Sequence, residues 1–175
     1  GANRVLQPLG GGHCAGRLPG SEEAMIDRRE VEAAQASWGR AVVEVGAAAS
    51  WEQAHSRAVE LVQAHYLLDG SLLFCPTKAA EQQFRPDVDS AVSYFVGRNP
   101  AFGEDKGFAL EPWSSVRFDN AGIVCRDGLA LAMGNYFFGR TDSPELKVEY
   151  SFGYVRDGTG GLKIQLHHSA LPYSG

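Results

Sequence analysis

The sequence predicts an α+β fold in which N-terminal helices pack on one face of a strongly curved antiparallel sheet. Apolar residues recur at helical spacing from Asp27 to about Gly97, and after Gly107 the period switches to the alternation of strands and stays there. The length supports one domain: 175 residues, 44% hydrophobic and 21% charged, suffice for an ordinary globular core without staples. No repeat at a solenoid-like period is visible.

Residues 1–20 hold Gly10-Gly11-Gly12, Gly16, Gly20 and two prolines without a hydrophobic period. They are expected to form a flexible linker or leader remnant, leaving 21–175 as the single domain. The first helix opens at Asp27, with Glu30 three residues on as its capping-box partner, and carries Val31, Ala34, Trp38, Ala41, Val42 and Val45 on its apolar face. A second opens at Ser50, paired with Gln53, and its stripe runs through Trp51, Ala54, Ala58, Leu61, Val62 and His65. Asp69-Gly70 then turns the chain into a short buried strand, Ser71 to Cys75, ended by Pro76. Thr77 is a suitable N-cap for a helical piece from Lys78 to Phe84. Pro86-Asp87 starts a further helix with Val88, Ala91, Val92 and Phe95 inward, Tyr94 beside them and Gly97 as its stop. The expected strands are Phe108 to Phe118, Gly122 to Arg126, Leu129 to Phe138, Val148 to Val155 and Leu162 to Ser169. Turns fall at Asn120-Ala121-Gly122, Asp127-Gly128 and Asp157-Gly158.

Composition removes several function classes. A net charge of −5, with Arg28-Arg29 as the densest basic spot, argues against a nucleic-acid partner. No apolar run reaches the roughly 18 residues of a membrane span. Cys14, Cys75 and Cys125 show no C-x-x-C spacing and read as free thiols, the latter two as small core residues. There is no H-E-x-x-H, and Gly10-Gly11-Gly12 is not followed by the Lys-Ser/Thr of a phosphate loop. Glu22-Glu23 and Glu104-Asp105 are expected to be solvated.

The last strand carries the candidate chemistry. By alternation Leu162, Ile164, Leu166 and His168 share one face, and Lys163, Gln165, His167 and Ser169 share the other. Adjacent histidines then point apart, which argues against a two-histidine metal clamp and makes His167 and Ser169 neighbours on a polar face. His168 is expected to be a packing residue, His55 and His65 rim residues of the second helix, and His13 irrelevant. A histidine is suited to proton transfer because its ordinary pKa of about 6.5 is easily moved across neutrality. No nucleophile elbow surrounds Ser169, so its hydroxyl suits binding or orienting a small polar ligand better than attack. The opposing reading, a polar strand face that is merely solvated, stays open on these residues alone.

Six ordered blocks resemble the iota-class carbonic anhydrases: Phe74-Cys75-Pro76-Thr77-Lys78-Ala79-Ala80, Ser93-Tyr94-Phe95-Val96-Gly97, Phe108-Ala109-Leu110-Glu111-Pro112-Trp113, Met133-Gly134-Asn135-Tyr136-Phe137-Phe138, Val148-Glu149-Tyr150-Ser151-Phe152-Gly153-Tyr154 and Leu166-His167-His168-Ser169. They run from about Leu72 to Tyr173. The resemblance implies a cone of helices on a bent sheet, similar to the association domain of calcium/calmodulin-dependent kinase and to nuclear-transport-factor-like proteins, paired as a homodimer. It also implies reversible hydration of carbon dioxide to bicarbonate, with a pocket lined by Thr77, Tyr94, His167 and Ser169. In that reading His167 accepts a proton, directly or through water, while the three hydroxyls hydrogen-bond bicarbonate. Ala170 stands where the family has a second serine, facing away from His167 by strand parity. With no ligand constellation in the sequence, a metal-free reaction without cofactor is favoured. A zinc- or manganese-dependent enzyme, and a non-catalytic oligomerisation or ligand-binding domain of the same fold, are the alternatives. The resemblance leaves the compartment open: a plastid in an alga, cytoplasm or periplasm in a bacterium.

Overall fold

The computed structural model describes residues 25–175. The expected linker at 1–20, with His13 and Cys14, and the pair Glu22-Glu23 lie outside the described residues. Helix α1 spans Arg28–Gly46, and Asp27 caps it in a reciprocal box with Glu30, at 2.9 Å in both directions. Helix α2 spans Trp51–His65 with the Ser50 hydroxyl on the Gln53 N–H. Gln53 returns its side chain to Ala49 and not to Ser50. Both helices bury the stripes that their periodicity indicates, with Val31, Trp38, Val42 and Val45 on α1 and Ala54, Ala58, Leu61 and Val62 on α2. Helix α3, Val88–Val96, is capped by Asp87 and ended by Gly97 at φ +64°, a conformation that side chains with a Cβ adopt only under strain.

The strands are β1 (Leu73–Cys75), β2 (Ser115–Arg126), β3 (Leu129–Gly139), β4 (Leu146–Arg156) and β5 (Leu162–Ala170), in the order β1-β5-β4-β3-β2. The helices cover one face of this sheet, as expected of an α+β fold, but the sheet is mixed. Strand β1 runs parallel to β5, because the chain leaving α2 joins β5 at the Tyr66–Ile164 bridge and continues alongside it in the same direction until Pro76. Three further expectations are corrected. Lys78 to Phe84 is a loop and not a helix: the Glu104 carboxylate takes the N–H groups of Ala80, Glu81 and Gln82, which a helix there would leave to capping. Phe108–Leu110 is a 3₁₀ turn after Gly107 at φ +82°, so the strand begins only at Ser115, past Pro112. The Asn120-Ala121-Gly122 turn is a bulge inside a continuous β2, with Ala121 unpaired opposite Gly134 and Met133. Gly134 is required there, since a Cβ on it would lie 2.1 Å from the Asp119 carbonyl oxygen.

Between sheet and helices the core is unusually aromatic, with Trp38 of α1 at its centre against Phe95, Phe118, Tyr136, Phe138, Phe152 and His167. One enclosed hydroxyl, that of Tyr154, has no hydrogen-bond partner among the described residues. A buried unpaired hydroxyl costs about 1–3 kcal/mol of desolvation. Tyr154→Phe is therefore expected to leave thermal stability unchanged or to raise it, and a lowered midpoint would show that the hydroxyl has a partner in solution.

A second bulge decides the site. Strand β4 pairs Gly153 with Leu166 but Tyr154 with Ile164, so Gln165 is the extra residue and the alternation of β5 slips by one. Ile164, His167 and Ser169 all point into the core, while His168 is exposed. The expectation that His168 packs and shares a face with Ile164 is thus reversed: His168 lies on the outer face and His167 is 2% exposed. Ala170 does face away from His167, as parity after the bulge requires. Cys75 and Cys125 are free and half-buried, at the margins of the core and not within it.

Candidate active site

The mouth of the cone is built by the loop after β1 and by the segment after α3. Pro76 ends β1 and delivers Thr77 beside β5, where its Oγ1 lies 2.8 Å from the Ser169 Oγ. The N–H of Lys78 donates to the Tyr94 hydroxyl at 3.3 Å, which brings that hydroxyl beside Thr77. The Tyr136 hydroxyl, from β3, lies 3.2 Å from the Nε2 of His167 and near enough to Ser169 and Thr77 for both to lower its pKa. The other ring nitrogen, Nδ1, is 2.9 Å from the Tyr66 hydroxyl, which also accepts from the Trp38 indole N–H at 3.1 Å. The hydroxyls of Thr77, Ser169 and Tyr94 thus gather here, and His167 stands behind them with Tyr136 between.

The expected four residues fall into two positions. Thr77, Tyr94 and Ser169 come together directly, while His167 reaches them through Tyr136. Its ring is held between Phe74 and Phe152, with centroids 4.7 and 4.2 Å away, because these two aromatics are its cross-strand partners on β1 and β4. Burial, with the neighbouring His168 as a smaller cause, holds the His167 pKa well below its ordinary value, so the ring is neutral at pH 7. Burial likewise raises Tyr66, Tyr94 and Tyr136, whose hydroxyls keep their protons. Tyr66 and Tyr136 were not singled out by sequence, although Tyr136 lies in one of the quoted blocks. Nothing local marks either one, since their role comes from contacts with residues 101 and 31 positions away.

A neutral buried histidine makes stability depend on pH. Below about 6.5 the unfolded chain takes up a proton that the folded chain refuses, so stability is lost as pH falls from 6.5 toward the lowered folded value. The expected loss is about 1.4 kcal/mol per pH unit in that window. His65, half-buried with its pKa lowered by burial, adds to it in the same direction. Urea midpoints at pH 7.5 and 5.5 check this: the drop should shrink in His167→Gln, and equal midpoints in the parent protein would refute it.

A cavity of about 320 Å³ opens outside Tyr94 between Lys78, Glu104, Phe108 and Glu111. Its rim is charged on both sides, with Lys78 3.7 Å from Glu111 and Arg140 2.7 Å from the same carboxylate. Behind the rim Arg85, fully enclosed, forms a two-pronged pair with Asp105 at 2.8 Å, and Ser93 donates to the same carboxylate. Three N–H groups, those of Glu81, Gln82 and Ala80, hold the Glu104 pKa down to about 2. Glu104 and Asp105 are therefore not the solvated pair that the sequence suggests. They fasten the loop carrying Thr77 and Lys78 to the mouth. His55 is exposed, and His65 bonds Ser37 at 3.0 Å and the Leu61 carbonyl at 2.9 Å, away from this site. Among the described residues no three His, Cys, Asp or Glu side chains gather as a metal site would require.

Comparison with known proteins agrees with this construction. The family model described as metal-independent carbonic anhydrase matches residues 29–171. A metal-independent carbonic anhydrase of Nostoc sp. (strain PCC 7120) is 37% identical over 156 residues, covering 85% of this chain and 75% of the relative. The crystal structure of a cyanobacterial iota-carbonic anhydrase complexed with bicarbonate superposes with a TM-score of 0.84 at 34% identity, over 91% of this chain and 99% of that one. A putative dehydratase of the NTF2-like family from Streptomyces avermitilis, at 11% identity and a TM-score of 0.50 over 83% of this chain and 96% of that one, shares the fold alone.

Proposed function

Because the chain belongs to the metal-independent carbonic anhydrase family, we propose that it catalyses the reversible hydration of carbon dioxide to bicarbonate and a proton, without a metal ion, in the pocket of Thr77, Tyr94, Ser169 and Tyr136. The observation that carries this reading is the Thr77–Ser169 hydroxyl pair with the Tyr94 hydroxyl beside it, Tyr94 also lining an open cavity. Carbon dioxide enters past Phe108 and reaches Tyr94. Water's oxygen forms the new bond to carbon, one carbon–oxygen π pair moves onto oxygen, and a proton leaves the attacking water. Hydroxyl donors preorganised around that oxygen stabilise the charge as it develops, more strongly in a partly dry pocket than in water. The Thr77–Ser169 hydrogen bond opens to admit the anion between its partners.

His167 acts at one remove: it touches the pocket only through Tyr136 and governs which way that hydroxyl hydrogen points. The proton released from water leaves by the charged mouth to solvent. A stopped-flow hydration assay with and without chelator is the test. No rate above buffer would end the enzymatic reading, and activity abolished by chelator and restored by zinc would end the metal-free one.

The functional unit is proposed to be a homodimer joined through the outer face of the sheet. There Leu73, Leu166, Gly153, Leu131 and Val124 stand in one cross-strand row over all strands, and Leu73, Leu131 and Val124 are 63%, 47% and 47% exposed. Met133, 61% exposed, stands in the next row. An apolar band of this kind on a sheet face supports burial against a second copy. Sedimentation should give a dimer that Leu131→Glu converts to monomer, and a monomeric parent protein would refute the pairing.

A further inference from the structure

We infer that Tyr66, whose oxygen is engaged by the Trp38 indole N–H, is a positioning residue that fixes the tautomer of His167, so that its Nε2–H is given to Tyr136 and the Tyr136 hydroxyl hydrogen is turned toward Ser169 and Thr77. The argument rests on what each atom is able to do. An indole N–H only donates, so the Trp38 contact at 3.1 Å uses Tyr66 as an acceptor. The Tyr66 hydroxyl hydrogen must then go elsewhere, and His167 Nδ1 at 2.9 Å is the one acceptor bonded to it among the described residues. The nearby Tyr154 hydroxyl makes no hydrogen bond to it.

Nδ1 is therefore the bare nitrogen. A neutral imidazole carries one N–H, which falls on Nε2, 3.2 Å from the Tyr136 oxygen. Tyr136 accepts that hydrogen and is free to donate its own to the Ser169 and Thr77 hydroxyls. The opposite tautomer would leave the Tyr66 hydrogen enclosed without an acceptor, a penalty that biases the equilibrium roughly ten- to a hundredfold. The device is a directed relay from the centre of the core, Trp38 to Tyr66 to His167 to Tyr136, ending as a donor at the place where an anion would sit. It rests on the carbon dioxide reading only for that last step. In the resting protein His167 then serves the pocket as a donor and not as a base.

Long-range proton–nitrogen NMR on histidine-labelled protein reads the tautomer without reference to activity. The expected result is a protonated Nε2 and a bare Nδ1 at His167 in the parent protein. In Tyr66→Phe the hydroxyl that donates to Nδ1 is gone, and both tautomers become populated. The hydration kcat should fall about twofold with the lost Nε2–H population. A protonated Nδ1 in the parent overturns the inference, as does an unchanged tautomer in Tyr66→Phe. Should that variant fail to fold, the parent spectrum still decides. Absence of hydration by the parent protein would remove the carbon dioxide reading while leaving the tautomer result intact.

Discussion

Ser169→Ala is expected to lower kcat for carbon dioxide hydration by roughly 10²- to 10³-fold, the usual effect of deleting one preorganised donor at a developing oxyanion. Ser169 is 5% exposed, bonds Thr77 and lies near the Tyr136 hydroxyl. Its removal takes away the partner of the Thr77 hydroxyl and a donor to the anion. Thr77→Val, which keeps the branched shape and removes only the hydroxyl, should have an effect of the same order. Because the two hydroxyls act on one ligand, the double variant should lose far less than the product of the single losses. Stopped-flow rates on protein of parent-like thermal midpoint check this. A loss below about threefold in both single variants would mean that the hydroxyl cluster is not where the reaction occurs.

Arg85→Ala is expected to be the most destabilising single change, at about 3–5 kcal/mol, because it strands a carboxylate that is itself enclosed. The Asp105 side chain is 1% exposed and that of Arg85 0%. Arg85 also donates to the carbonyls of Gln82 and Ser90, so the same change frees the loop that carries Thr77 and the start of α3. For a chain of this size such a loss lowers the thermal midpoint by about 10 °C. Replacing the pair together, Arg85→Met with Asp105→Leu, should recover much of the stability, since two apolar side chains leave no charge behind. A drop near zero for Arg85→Ala would show the pair to be hydrated, and an equal drop in the double variant would assign the loss to the carbonyl contacts.

The reading of the last strand shows how far alternation carries an argument. From sequence, His167 and Ser169 fall on one face and His168 on the other, and both statements hold in the structure. What failed was the identity of the faces, since Ile164 shares the core with His167 once Gln165 is extruded. A bulge inverts every assignment beyond it. Its cause lies in the pairing with β4, which leaves no mark in the local pattern of residues 162–170. The Lys78 to Phe84 segment fails in the same way. Thr77 is a sound N-cap by type, but its hydroxyl goes to Ser169, and the N–H groups beyond it go to a carboxylate some 20 residues on.

The sequence by itself determined the three helices and their caps and the switch from helices to strands, while Thr77 and Tyr94 entered as what the family resemblance implies. Capping, period and turn chemistry act within a few residues of one another and are written locally. Only the tertiary structure decided that β1 lies parallel beside β5, that Glu104 and Asp105 are fastened to the loop, and that His167 is enclosed with a phenol on each nitrogen. Those features are fixed by partners far apart in the chain. Their energies depend on which groups are shut away from water together, and burial of that kind is a property of the assembled core.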